Sequence, residues 1–293
     1  MEYKNFLNIP QENSNLDNSK AVIISFPYEK STSFGKGTKL GPKAIISASS
    51  QVELFDEELE KETYLKVGIH TISEIKPSNV ASKFYLPLTK KVEETLALNK
   101  FPIILGGEHT ISLGGVLGVI KKYKSFSVLH FDAHADLRDS YEGNKFSHAS
   151  AMRRVLDLEE VKNLVSVGIR NISNNEDEGS EFDFYKKNQK RIKIFWSKDK
   201  EDLSVKKILD SLEKDVYITF DVDAFDPSIM PSTGTPEPGG MLWHETLEIL
   251  RQVFLKKNVI AVDVVELSPI KNMPAPDFMI AKMIYKMIGY KFL

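Results

Sequence analysis

The feature that most limits the fold is a series of short, almost uninterrupted apolar runs spread along the whole chain. They are Ala21–Phe26, Phe101–Leu105, Ser127–Phe131, Leu164–Ile169, Lys193–Trp196, Val216–Phe220 and Val259–Val265, with a weaker eighth at Leu65–His70. Half-exposed strands alternate apolar and polar residues, whereas runs without alternation suit parallel strands covered on both faces. Between them lie segments of helical periodicity: Pro87–Asn99, Ser112–Lys124, Val205–Lys214, Glu245–Lys257 and Asp277–Ile288. Alternation of this kind over 293 residues predicts one α/β domain, residues 1–293. Its mainly parallel sheet, of about eight strands, would lie between helical layers.

The charge balance narrows the partners. Lys and Arg number 39 against 41 Asp and Glu, a formal net charge of −2, so neither nucleic acid nor an anionic membrane is expected as the main partner. Cysteine is absent. Disulfides, thiolate metal sites and cysteine nucleophiles are therefore excluded, and a reducing, cytoplasmic setting is expected. The first twenty residues are too polar for a signal-peptide core, and the apolar stretch VIAVDVVEL is broken by Asp263 and Glu266, so no membrane segment is expected.

In parallel sheets, ligands gather at the carboxyl ends of the strands. Three strand ends here carry unusual clusters: Gly106-Gly107-Glu108-His109-Thr110, Asp132-Ala133-His134-Ala135-Asp136 and Asp221-Val222-Asp223. In extended chain, residues spaced by two share a face, about 6–7 Å apart. Carboxylates held that close beside apolar strands repel one another unless a cation lies between them. Four carboxylates and two imidazoles without sulfur suit a hard divalent ion such as Mn²⁺ better than structural zinc. Six such groups are too many for one ion that must also hold substrate; they suit two ions sharing carboxylates, which points to metal-assisted hydrolysis at a planar carbon or a phosphorus.

At these residues the chain resembles the ureohydrolase (arginase/agmatinase) family. The likeness is carried by GGEHT at 106–110, FDAHADLRDSYEG at 131–143, SHAS at 147–150, FDVDAFDPSIMPSTGTPEPGG at 220–240 and VDVVELSP at 262–269. It extends to the early SFPYEKSTSFGKGTKLGPKAI, and the run HADLRDSYEGNKFSHAS is most similar to bacterial agmatinases. The resemblance implies a three-layer α-β-α arginase-like fold and a binuclear manganese site. In it, His109 and Asp136 serve one Mn²⁺, His134 and Asp223 the other, while Asp132 and Asp221 bridge. A bridging hydroxide would attack the guanidinium carbon of a small guanidino substrate, giving urea and an amine. Glu266 would pair with the guanidinium and His148 would shuttle protons. Assembly as a homo-oligomer, trimer or hexamer, is implied as well. The chain departs from the family's pattern at Ala135, where relatives often carry Thr, and at Glu29, near where many carry Asp.

Other conspicuous residues have plainer readings. His130, which shares parity with Asp132, is expected as a packed core histidine, and His70 and His244 are discounted likewise. Asp226-Pro227 reads as turn chemistry, Glu245 as a first-turn acid complementing a helix dipole, and Met279, Met283 and Met287 as a core stripe or subunit contact. The glycine pairs 106–107 and 239–240 read as close-approach turns, because they lack a nucleotide fingerprint. The polar stretch 171–183 is the candidate mobile segment, expected as a solvated loop before a helix.

The non-guanidine end of the substrate is less determined. Within the loop 137–146, Asp139 and Glu142 could meet a terminal amine, as agmatine carries, whereas Arg138 could meet a carboxylate; Lys145 adds a further charge. Agmatine hydrolysis to putrescine and urea leads on resemblance. The same chemistry on guanidinobutyrate, arginine or formimidoyl-glutamate, and a non-catalytic member, remain alternatives. A deacetylase-type amide hydrolase is disfavoured, because that pattern lacks the FDVDAFDP and GTP combination seen here.

Overall fold

The computed structural model of the protein describes residues 5–199 and 203–293. Its strands are β1 (Ala21–Phe26), β2 (Phe55–Asp56), β3 (Lys61–Glu62), β4 (Ile69–Thr71), β5 (Phe101–Gly106), β6 (Phe126–Phe131), β7 (Val161–Ile169), β8 (Ile192–Trp196), β9 (Asp215–Asp221) and β10 (Asn258–Val265). The α-helices are α1 (Gln11–Ser14), α2 (Gly41–Ser49), α3 (Thr63–Val67), α4 (Leu86–Ala97), α5 (Ser112–Val119), α6 (Ala151–Leu156), α7 (Glu181–Lys187), α8 (Val205–Asp210), α9 (Trp243–Lys256) and α10 (Ala275–Phe292).

Eight strands form one sheet in the order β4-β1-β5-β10-β9-β6-β7-β8, and every pairing in it is parallel. β2 and β3 pair antiparallel, as a separate hairpin. The unbroken apolar runs are explained by burial on both faces. Ile23, Ile103, Ile218 and Val262 point into one core with α2, α8, α9 and α10, while Ile24, Ile104, Val128 and Tyr217 point into the other with α4, α5 and α6. The expected three-layer α/β architecture is thus observed.

The differences from the sequence reading are local. Leu65–His70 is not one strand: the chain forms the short helix α3, turns at Gly68 in positive φ (64°) and only then enters β4. The helix at 205–214 ends at Asp210 and that at 112–124 ends at Val119, whereas α10 runs further in both directions than expected. Met283 and Met287 are buried in the α10 core stripe, with Met279 packed at its edge.

The topology brings the loops after β1, β5, β6, β7, β9 and β10 together at one end. Gly107 fixes how closely the first two approach. A Cβ there would lie 1.9 Å from the Tyr28 carbonyl oxygen, while its N–H donates to Phe26 (3.2 Å) and Glu108 N–H to Tyr28 (2.8 Å). Tyr28 is in turn stacked on Phe84 with 4.1 Å between centroids. Gly107→Ala is therefore expected to push the loop after β1 off the sheet and to cost more than the roughly 1–3 kcal/mol of ordinary overpacking. Thermal unfolding checks this; a wild-type melting temperature would contradict the close-approach reading of the pair.

Candidate metal centre and active site

The six candidate ligands converge. His109 opens the turn after β5, and its Nδ1 lies 3.0 Å from Asp132 Oδ2, 3.0 Å from Asp136 Oδ2 and 3.4 Å from Asp221 Oδ2. His134 Nδ1 lies 2.9 Å from Asp223 Oδ2 and 3.5 Å from Asp132 Oδ1. The two oxygens of Asp132 thus face the two imidazoles, the placement a bridging carboxylate needs. The route to convergence differs from the extended chain expected. Asp132 Oδ1 accepts the His134 N–H (2.6 Å) and Asp221 Oδ1 the Asp223 N–H (2.9 Å), so each acid folds the next ligand back over itself in a tight turn. Asp136 completes the first turn with a positive φ of 52°.

The electrostatics fit divalent cations. Asp132, Asp136, Asp221 and Asp223 are all buried. Burial, then Asp223 and Asp132, drives the Asp221 pKa well above the ordinary value, and burial with Asp132 raises Asp223. Burial also acts on Asp132, but His130, His109 and His134 outweigh it and hold its pKa well below. Burial opposes protonation of His134, yet Asp223 and Asp132 push its pKa up to about 12. Such opposed shifts mark a cluster lacking enough positive charge.

Thr219 Oγ1 donates to Asp263 Oδ1 (2.7 Å), so it accepts from His109 Nε2 (2.9 Å), and the neutral ring must carry its proton on Nε2. The bare Nδ1 then faces three carboxylate oxygens, buried and without a hydrogen-bond partner. Burial opposes a second proton on the ring, yet Asp132, Asp136 and Asp221 raise the His109 pKa well above the ordinary value, so the arrangement calls for positive charge there, a proton or a cation. The residues therefore fit a metal pair.

Support comes from a row of polar side chains in register across four strands: Ser166 on β7, His130 on β6, Thr219 on β9 and Asp263 on β10. His130 is fully buried, as expected of a core histidine, and it also touches the site: Nε2 lies 2.8 Å from Asp132 Oδ2 and Nδ1 3.0 Å from Ser166 Oγ. Tyr217 donates to Asp263 Oδ2 (2.6 Å). His70 and His244 lie elsewhere: His70 Nδ1 meets the Ser14 carbonyl, and His244 is exposed on α9.

A cavity of about 210 Å³ opens above the cluster and is lined by His148 and Glu266 as well as by candidate ligands. Glu266 is buried with a positive φ of 64°. Its Oε1 accepts the His109 N–H (2.6 Å), and burial with the facing Glu108 raises its pKa well above the ordinary value. His148 sits at a short helical turn, with the Tyr141 ring edge-on at 5.5 Å.

The loop acids belong elsewhere than the sequence reading placed them. Asp139 is engaged by Arg154 (2.9 Å) and neighboured by Lys145 (3.6 Å), and Glu142 is an exposed turn residue. Besides Glu266 and the clustered aspartates, the acids that line the cavity are Glu181 and Glu237. Glu181, at the start of α7, is buried within the stretch expected to be solvated. It accepts the backbone N–H of Leu137 and of Ser173, both at 2.7 Å, and burial pushes its pKa up to about 7. Glu237 Oε1 accepts from Asn171 Nδ2 (2.6 Å), and Arg170 Nη2 pins the carbonyls of Glu237 and Asp223, each at 2.7 Å. Glu29 accepts the N–H groups of Gly37 and Thr38 and so shapes the glycine-rich loop. Ala135 packs in the apolar core beneath α4–α6. Asp226 accepts three local N–H groups, from Ser228, Gly239 and Gly240, and Glu245 caps α9 through the Leu242 N–H (2.6 Å), as their turn and first-turn readings require.

Known proteins share this architecture. The Arginase family model matches residues 19–289. The N(1)-aminopropylagmatine ureohydrolase of Synechocystis sp. is 35% identical over 278 residues, covering 92% of this chain and 88% of its own. The agmatinase of Halalkalibacterium halodurans is 34% identical over 262 residues, covering 87% and 86%. The crystal structure of agmatine ureohydrolase of Thermoplasma volcanium superposes with a TM-score of 0.84 at 26% identity, over 99% of this chain and 95% of that one. No described helix is long and apolar enough to cross a membrane. A parallel sheet ending in buried acids, and relatives spanning nearly its full length, make this chain a member of the arginase family, hydrolases of guanidino C–N bonds.

Proposed function

We propose that the protein hydrolyses a small guanidino compound whose other end is an ammonium, agmatine being the simplest, to urea and an amine. Two Mn²⁺ ions would be held by His109 and Asp136, by His134 and Asp223, and by Asp132 and Asp221 between them. When bound, the ions supply the positive charge the cluster lacks and acidify water at neutral pH. Glu266 offers the oxygen not held by His109 N–H to the guanidinium, whose charge restores its carboxylate. His148, beside the same cavity, carries the proton that the departing amine needs.

One observation carries the choice of tail. Arg138, the cavity cation able to attract a carboxylate, is already paired: its Nη1 donates to Glu178 Oε2 and its guanidinium lies 5.2 Å from the Tyr141 ring. Of the cavity acids outside the aspartate cluster and Glu266, Glu181 has both oxygens committed to backbone N–H groups, whereas Glu237 retains Oε2 without a protein partner among the described residues. Glu237 Oε1 lies 4.0 Å from His134 Nε2, so it stands on the cavity side of the metal ligands, placed to meet a tail ammonium. N(1)-aminopropylagmatine is the second reading, supported by the Synechocystis relative of that name.

Urea release from Mn²⁺-loaded protein offered agmatine, N(1)-aminopropylagmatine, arginine and 4-guanidinobutyrate separates these readings. Turnover is expected only with ammonium-tailed compounds lacking a carboxylate, and their relative kcat/KM decides between the first two. Preferred cleavage of guanidinobutyrate would overturn the tail assignment. Glu237→Gln is expected to raise KM for the ammonium-tailed substrate about tenfold with little change in kcat, since a uniform binding contact is weakened. Asp132→Asn should lose metal and activity together, and wild-type metal content in that variant would contradict the bridge. His148→Ala should keep both metals while kcat falls about a hundredfold; unchanged turnover would remove it from proton transfer.

A further inference from the structure

The loop after β1 meets His148 at Ser31, a residue that neither the metal pair nor the substrate end requires. Glu108, fully buried at the end of β5, organises it. Its Oε2 accepts the N–H groups of Lys30 (2.6 Å) and Ser31 (2.7 Å), and its Oε1 accepts the hydroxyls of Ser31 (2.8 Å) and Thr110 (2.7 Å). The single hydroxyl proton of Ser31 is thereby committed to Glu108, and its oxygen can only accept from any other partner. That partner is His148, whose backbone N–H lies 3.0 Å from Ser31 Oγ and whose Nδ1 lies 3.3 Å from it.

We infer that Ser31 is a positioning residue that fixes the tautomer of His148, placing the ring proton on Nδ1 and leaving Nε2 bare. This rests on the reading of His148 as the proton carrier. A serine oxygen whose own hydrogen points elsewhere presents only lone pairs to Nδ1, so an Nδ1 lone pair would meet it in repulsion and an Nδ1–H in a hydrogen bond. Free histidine in water favours the opposite tautomer, with the proton on Nε2. The Glu108–Ser31 pair reverses that preference before substrate arrives. Nε2 has no protein partner among the described residues, which makes it the atom that takes up a proton and returns it to the leaving nitrogen. Nδ1–H stays on Ser31 in both the neutral and the charged ring, so the ring need not turn between the two transfers.

The test joins a spectroscopic and a kinetic readout. Histidine-selective ¹⁵N spectra would be recorded on protein loaded with diamagnetic Zn²⁺, and His148 assigned by its loss in His148→Ala. The wild type is expected to show neutral His148 as the Nδ1–H form, and Ser31→Ala to shift it toward Nε2–H. With Mn²⁺ and agmatine, or whichever panel compound is cleaved best, kcat of Ser31→Ala should fall about tenfold with KM nearly unchanged. Ser31→Thr, which keeps the hydroxyl, should recover both the tautomer and most of kcat, a rescue that a merely packing role would not give. An Nε2–H signal in the wild type overturns the inference whatever the kinetics. A tautomer unchanged in Ser31→Ala overturns it too. Full turnover in His148→Ala would instead strike the proton-carrier reading, while the Nδ1–H signal would still uphold the hydrogen-bond assignment.

Discussion

Mutual repulsion among four buried carboxylates is the constraint on which this structure turns. Asp132, Asp136, Asp221 and Asp223 lie at the carboxyl ends of two adjacent central strands, almost without solvent. Isolated charges in such a place cost several kcal/mol each even after relaxation. The chain does not lower that cost through Lys or Arg side chains, because none contacts these four carboxylates among the described ion pairs. Among the described residues, the side-chain nitrogens facing these carboxylates are those of histidines, and histidine accepts either a proton or a metal. The cluster thus calls for positive charge beyond what Lys and Arg supply, as a metal-binding site would.

A rigid floor makes such an arrangement tolerable. The row of Ser166, His130, Thr219 and Asp263 crosses four hydrogen-bonded strands, and each member spends its polar atoms on a neighbour that faces the ligands or on the next in the row. Parallel strands hold this row because their backbones are fully paired and their other face is sealed by helices. Above the floor, clamps set the loops. Arg170 holds the carbonyls of Asp223 and Glu237, Glu181 joins the loops after β6 and β7, and Glu108 joins those after β1 and β5. Each clamp converts a loop, normally the mobile part of a fold, into a wall of fixed geometry.

Much of this was legible in the sequence, for physical reasons. Doubly covered strands must be apolar throughout, so seven of them announced themselves, and the six candidate ligands stood out because ionisable side chains at the ends of such strands are costly. Leu65–His70 misled because its apolar spacing serves a short helix and a glycine turn equally well, and a three-residue edge strand leaves little pattern. The acids proposed to meet the substrate's ammonium were not singled out in the sequence, for a different reason. Asp139 and Glu142 sit in the loop nearest the ligands in sequence, yet Asp139 is drawn to Arg154 and Glu142 points to solvent. Glu181 and Glu237 arrive from distant segments, so only the fold joins them to the cavity. The interruptions His130, Thr219 and Asp263 did carry a signal, since polar residues within otherwise apolar strands require partners. Register across strands, which one sequence does not reveal, was needed to see that they partner the site.

On the proposed function, the acid cluster holds two divalent ions. Metal content per chain, measured on protein purified with Mn²⁺ and compared with chelator-treated protein, tests it most directly. Two ions per chain, lost together with urea release and with a lowered melting temperature on chelation, is the result expected. Full urea release and an unchanged melting temperature with no more than one ion per chain would contradict it.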